Sequence, residues 1–169
     1  VSVVASHSAT LSEPWERGYA GADARGAHVM GLWKFDPGAE RADSSGHGHE
    51  LKLFENAISG AGRFGGALES HEGFPKADVP HGARVPQGRG LSPSDAFSLE
   101  LWLRPKRELL ERGRAMLLDK KYVAHNDYQW QLLVDGKSGV AHGEVSLGFG
   151  DHSRSVLSEP FKLEPDRWH

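Results

Sequence analysis

Phe97-Ser98-Leu99-Glu100-Leu101-Trp102-Leu103-Arg104-Pro105 is the stretch whose reading decides the fold. Its odd positions up to 103 are apolar, while the even ones hold Ser, Glu, Trp and Arg. A period of two over eight residues belongs to a β-strand with one covered face. Pro105 has no N–H to give a ladder, so the strand ends there.

The same pattern recurs on both sides. Upstream, Val29 to Phe35 reads as a strand stopped by Asp36-Pro37-Gly38, a proline-glycine turn. The run Asp43-Ser44-Ser45-Gly46-His47-Gly48-His49 is a dense turn signal, in which Asp and Ser side chains bond amides a few residues on. It leads into a strand over 50–54. The knot Gly60-Ala61-Gly62-Arg63-Phe64-Gly65-Gly66 precedes Ala67-Leu68-Glu69, and close backbone approach or a bulge explains its glycines. Residues 71–94 read as loop with a short strand at 83–85. Downstream, strands are expected at 115–118, 128–134, 144–149 and 155–157, and only Arg107 to Arg114 has a helical character. Residues 1–27 form an irregular lead-in, and 28–169 form one domain. Serial strands joined by turns predict an all-β fold of antiparallel layers, a sandwich or a barrel.

Composition narrows the classes of function. The chain has 169 residues, a formal charge of -3, 21 Gly and 9 Pro, which suits a turn-rich domain with a core of its own. Lys and Arg are scattered among Asp and Glu, so no basic stripe offers itself to nucleic acid. With no cysteine, disulfides, thiolate metal sites and a Cys nucleophile are excluded. No apolar run reaches the roughly 18 residues of a membrane span.

Four segments, in order, resemble the bacterial laminin-G-like branch of the concanavalin A-like lectin/glucanase superfamily: 31–36 (GLWKFD), 43–48 (DSSGHG), 62–68 (GRFGGAL) and 97–105 (FSLELWLRP). Leu117-Leu118-Asp119-Lys120-Lys121 and Leu147-Gly148-Phe149-Gly150 extend the likeness. The resemblance implies an antiparallel jelly-roll sandwich. Asp166-Arg167-Trp168-His169 is similar to the start of a strand that in this family continues through His-Val-Ala to a hairpin ending in Tyr-Val-Asp-Gly. It therefore implies that the final strands of the sandwich are missing and that an open sheet edge associates with another strand. It also implies a secreted, cell-surface or periplasmic bacterial protein.

Glucanases of this fold carry two acidic residues close together on one strand, one attacking the sugar carbon and one protonating the leaving oxygen. No such pair occurs here. Glu100 is alone on its strand, and Glu159 precedes a proline. Ser92, Ser94 and Ser138 sit in no Gly-x-Ser-x-Gly elbow, so no catalytic residue is assigned. His47 and His49 have the spacing of a metal pair but lack a third ligand, and exposed loop histidines are the simpler reading. The family resemblance implies calcium, for which Asp36 and Asp43 are the candidate ligands; both also suit turn capping. Stacking of a sugar ring on an aromatic side chain points to Tyr122, Tyr128 and Trp130, with Asn126 to bond hydroxyls. The alternation of Tyr128 and Trp130 equally suits core packing, and Trp33 and Trp102 are expected in the core.

These readings converge on a non-catalytic recognition module, with a polysaccharide or other glycan as partner, within a larger protein. A structural or adhesive protein–protein module and an atypical polysaccharide-degrading domain are the alternatives.

Overall fold

A computed structural model describes residues 26–54, 57–70, 82–86, 88, 90–92, 97–108, 114–121, 128–135, 140–147, 154–157 and 159–169. They fall into two compact units, one within 26–92 and one within 97–169. Apart from a helical pair at 107–108, the regular structure is β, and all strand pairs are antiparallel. No helix among the described residues is long and apolar enough to cross a membrane.

In the first unit, β1 (Lys52–Leu53) pairs with β4 (Ala83–Arg84), and β2 (Ala57–Ala61) pairs with β3 (Gly66–Ser70). The β2–β3 hairpin closes where Gly62 N donates to Gly65 O at 2.7 Å. A Cβ on Gly62 would stand 1.9 Å from Gly66 O, and one on Gly66 would stand 1.7 Å from Phe35 O. The expected close backbone approach is thus what these two glycines serve.

Among the described residues, the strand expected over Val29 to Phe35 does not join a ladder. The N–H of Leu32 goes to a carboxylate, Asp43 Oδ1, at 3.0 Å, and its carbonyl accepts from Ser44 N at 2.7 Å. Phe35 then adopts φ 56°, which ends extended geometry. Asp36 to Ala39 form a tight turn with Pro37 second and Gly38 third. Gly38 has φ 82°, and Ala39 N donates to Asp36 O at 2.8 Å, as a type II turn requires.

In the second unit, β5 (Arg114–Lys121), β6 (Tyr128–Asp135), β7 (Val140–Leu147) and β8 (Arg154–Leu157) follow one another as a meander, and β9 (Phe161–Lys162) also pairs with β7. β6 occupies one edge of β7. On the other edge β8 covers Glu144–Leu147 and β9 covers Val140–Ala141. Pro160, between β8 and β9, has no N–H, which fits the break in that edge strand.

β6 lies between two neighbours and is buried on both faces: Trp130, Gln131, Leu133 and Val134 are all inaccessible or nearly so. Val134 and Leu163 form the centre of this core, with Leu103 and Leu117 packed against them.

The strand expected over 97–104 is not among the strands of the structure, and its one backbone exchange among the described residues is between Leu103 and His169, but its burial alternates as the sequence predicts. Phe97, Leu99, Leu101 and Leu103 are partly buried, whereas Ser98, Glu100, Trp102 and Arg104 are exposed. Trp102 is 46% exposed, so the core position expected for it is corrected: it occupies an even position and follows the polar face.

Candidate functional site

Two places gather functional side chains, one in each unit. The first is the turn over 43–49, which folds around one carboxylate. Asp43 Oδ1 accepts from Leu32 N at 3.0 Å and Ser45 N at 2.9 Å; Oδ2 accepts from Ser45 Oγ at 2.8 Å and His49 N at 3.0 Å. A carboxylate offers about four lone-pair sites, and protein donors take all of them. The side chain is only 1% exposed. Burial pushes this carboxyl upward. Hydrogen bonds from the Ser45 hydroxyl and the amides of Leu32, Ser45 and His49 outweigh that push and bring it from 3.8 to about 2.

His49 completes the turn. Its ring is buried and Nδ1 donates to Met30 O at 2.7 Å, which fixes the proton on that nitrogen. Its carbonyl accepts from Trp33 Nε1 at 2.8 Å. The Trp33 ring lies over Gly31, where a Cβ would come within 2.5 Å of the indole. His47 stacks on His49 with ring centroids 6.1 Å apart. The His–x–His spacing thus serves a stacked pair at the close of a turn.

A calcium ion takes six to eight oxygen ligands, roughly. Asp43 has no acceptor position left for one, and Asp36 is exposed at the separate Pro37-Gly38 turn. Among the described residues no group of three or more His, Asp or Glu side chains surrounds a common point. As a pair, Asp36 and Asp43 do not fit a calcium site.

The candidate sugar residues are not brought together by the described geometry. Trp130 is 8% exposed, so its indole fills the core of β6 and has no face to offer a ring. Tyr122 and Asn126 lie outside the described residues. Tyr128 opens β6, opposite Lys121, and its side chain lies outside the described residues too.

The second gathering was not singled out from the sequence. The 159–169 segment returns to the extended 97–104 segment: Leu103 N donates to His169 O at 2.9 Å, and His169 N to Leu103 O at 2.8 Å. This mutual exchange is the hydrogen-bonded pair of an antiparallel ladder. Asp166, at φ 60°, donates its N–H to Pro105 O at 2.8 Å. Arg167 pairs with Glu164, and the His169 ring folds back onto the Glu164 backbone at 3.0 Å. The pairing sets Trp168 beside Arg104, whose guanidinium carbon lies 5.7 Å from the indole centroid, within the roughly 6 Å range of a cation–π contact.

One exposed surface therefore carries Ser98, Glu100, Trp102 and Arg104 from a single segment, with Trp168 beside Arg104. The available signal was the parity of Trp102, an aromatic in a polar register. The contribution of Trp168 depends on a pairing between residues more than 60 positions apart, which no local pattern reveals.

Comparison with family models, with curated proteins and with solved structures gave no match to the chain.

Proposed function

We propose that this chain is a non-catalytic recognition module for carbohydrate, built on a laminin-G-like, concanavalin A-like jelly roll and belonging to a larger secreted or surface bacterial protein. The observation that carries the reading is the exposed face of the 97–104 segment, where Trp102 is 46% exposed and Arg104 lies against Trp168. An exposed indole offers a flat apolar face to the C–H groups of a pyranose ring. Ser98, Glu100 and Arg104, exposed on the same face, supply the donors and acceptors that sugar hydroxyls need. The reading places the sugar site at Trp102, Arg104 and Trp168.

The test is a glycan array probed with the wild-type chain and with Trp102→Ala, followed by calorimetry on any hit. Selective binding that falls at least tenfold in Trp102→Ala supports the reading. Selective binding unaffected by Trp102→Ala would place the site elsewhere, and a protein that binds no glycan would leave the adhesive reading as the better one.

A further inference from the structure

Asp36–Pro37 is the one Asp–Pro bond in the chain, since every other proline follows Glu, Phe, Val, Ser or Arg. It lies in a turn whose residues Asp36, Pro37, Gly38 and Ala39 are all exposed to water. Such a bond has a nucleophile on one side and an unusual leaving group on the other. The Asp carboxyl can close onto its own main-chain carbonyl, an intramolecular attack with a high effective concentration. The proline nitrogen belongs to a tertiary amide and leaves as a secondary amine. The fold adds to this local chemistry. Ala39 N donates to Asp36 O at 2.8 Å, so the oxygen that gathers negative charge under attack already has its donor. Phe35 is held at φ 56°, a left-handed conformation that a bulky residue adopts only under constraint from its surroundings. That constraint is the glycine knot: a Cβ on Gly66 would stand 1.7 Å from Phe35 O and 3.2 Å from Asp36 Cα. A Cβ on Gly65 would lie 2.9 Å from Asp36 Oδ1, so the carboxylate uses space that only a glycine leaves.

We propose that Asp36–Pro37 is a self-cleavage site. A carboxyl oxygen of Asp36 attacks the Asp36 carbonyl carbon and forms a C–O bond. The C–N bond to Pro37 breaks, its electron pair stays on nitrogen, and that nitrogen takes a proton from the carboxyl group or from water. Water then opens the cyclic anhydride, leaving Asp36 as a new carboxyl terminus and Pro37 as a new amino terminus. The sum is one peptide bond hydrolysed by one water. Cutting after Asp36 makes that residue a chain end and lets the strain at Phe35 relax. The cut does not take the unit apart. Four hydrogen bonds cross it, from Leu32 N to Asp43 Oδ1, Ser44 N to Leu32 O, Trp33 Nε1 to His49 O and His49 Nδ1 to Met30 O. The product is a nicked unit with both pieces in place.

The test is incubation of the purified chain at pH 5, above the range in which Asp43 loses its charge, folded or in enough urea to unfold it, followed by mass spectrometry. Fragments ending at Asp36 and beginning at Pro37 should form at least about tenfold faster in the folded protein, because urea removes the Ala39 donor and the strain at Phe35. Asp36→Ala, which lacks the nucleophile, should stay whole. Pro37→Ala, whose leaving nitrogen is that of an ordinary amide, should be cut at least about tenfold more slowly than wild type. Size-exclusion chromatography without denaturant should show the cut protein eluting as one particle. Cleavage in urea as fast as in the folded chain would overturn the role of the turn, and the same cut in Asp36→Ala would assign it to an outside protease, against the proposal. A folded protein that stays whole would overturn self-cleavage, and pieces that separate on the column would overturn the assembled product.

Discussion

Asp43 is the residue whose replacement most directly tests how the first unit is held. Asp43→Ala leaves the amides of Leu32, Ser45 and His49 without the acceptor they now share, and the Ser45 hydroxyl with it. A made hydrogen bond is worth about 1 kcal/mol net, and a buried amide left unmade costs about 1–3 kcal/mol. Water reaches some of the freed groups, so the expected loss is about 3–5 kcal/mol. Asp43→Asn keeps one acceptor oxygen but presents N–H groups where the other stood, and about 2–3 kcal/mol is expected.

The pH dependence separates the carboxylate from mere shape. A group whose folded value is depressed contributes stability that is present above its unfolded value and lost as pH falls through the folded one. For Asp43 that window runs from 3.8 down to about 2, and the shift corresponds to at most about 2 kcal/mol. Urea midpoints from pH 5 to 2, read together with exchange of the Leu32 and His49 amides, check both parts. The wild-type protein should lose this increment with protection of those two amides, and Asp43→Asn should lack that part of the acid slope. An Asp43→Asn protein within 0.5 kcal/mol (roughly the scatter of neutral surface substitutions) of wild type at pH 7, or with the same acid slope, would refute the reasoning.

Gly66→Ala should cost about 2–4 kcal/mol because its Cβ would collide with the Phe35 carbonyl. Gly60→Ala, whose Cβ meets only the Glu69 side chain at 3.7 Å, should be neutral within about 1 kcal/mol, and thermal melts of the two variants compare them directly. Leu133→Ala, at a site 2% exposed, should cost about 3–4 kcal/mol, whereas Trp102→Ala should cost about 1–2 kcal/mol despite deleting a larger side chain. Equal losses from chemical denaturation would return Trp102 to the core.

The sequence was a good guide to the strands of the second unit from 114 on, though the one expected over 97–104 does not form. The expected strands at 115–118, 128–134, 144–149 and 155–157 correspond to β5, β6, β7 and β8, each longer or shorter by a few residues at its ends. Alternation and bounding turns are local signals, and meander pairing requires only neighbours in sequence. β2 and β9 had no such signal. Ala57–Ala61 is dominated by small residues, and Phe161-Lys162 is a two-residue strand that owes its place to β7. The 29–35 segment failed for a physical reason: its residues have strand propensity, but a side-chain carboxylate outcompetes a neighbouring strand for the Leu32 amide.

The same competition explains which parts of the candidate sites could be read. A turn signal at 43–49 was plain from composition, yet composition does not say whether Asp43 spends its oxygens on amides or on a cation. Only the four converging donors decide that. At 97–104 the parity of the side chains was legible to the residue, and the reading went astray only where aromatic character was allowed to override parity at Trp102. Phe, Leu and Trp are all apolar by type, but on a two-faced strand position outranks type: each odd residue from 97 to 103 is partly buried and each even one from 98 to 104 exposed. The segment thereby keeps two separate side-chain faces. Its odd side chains are partly buried, and its even side chains form the surface proposed for glycan.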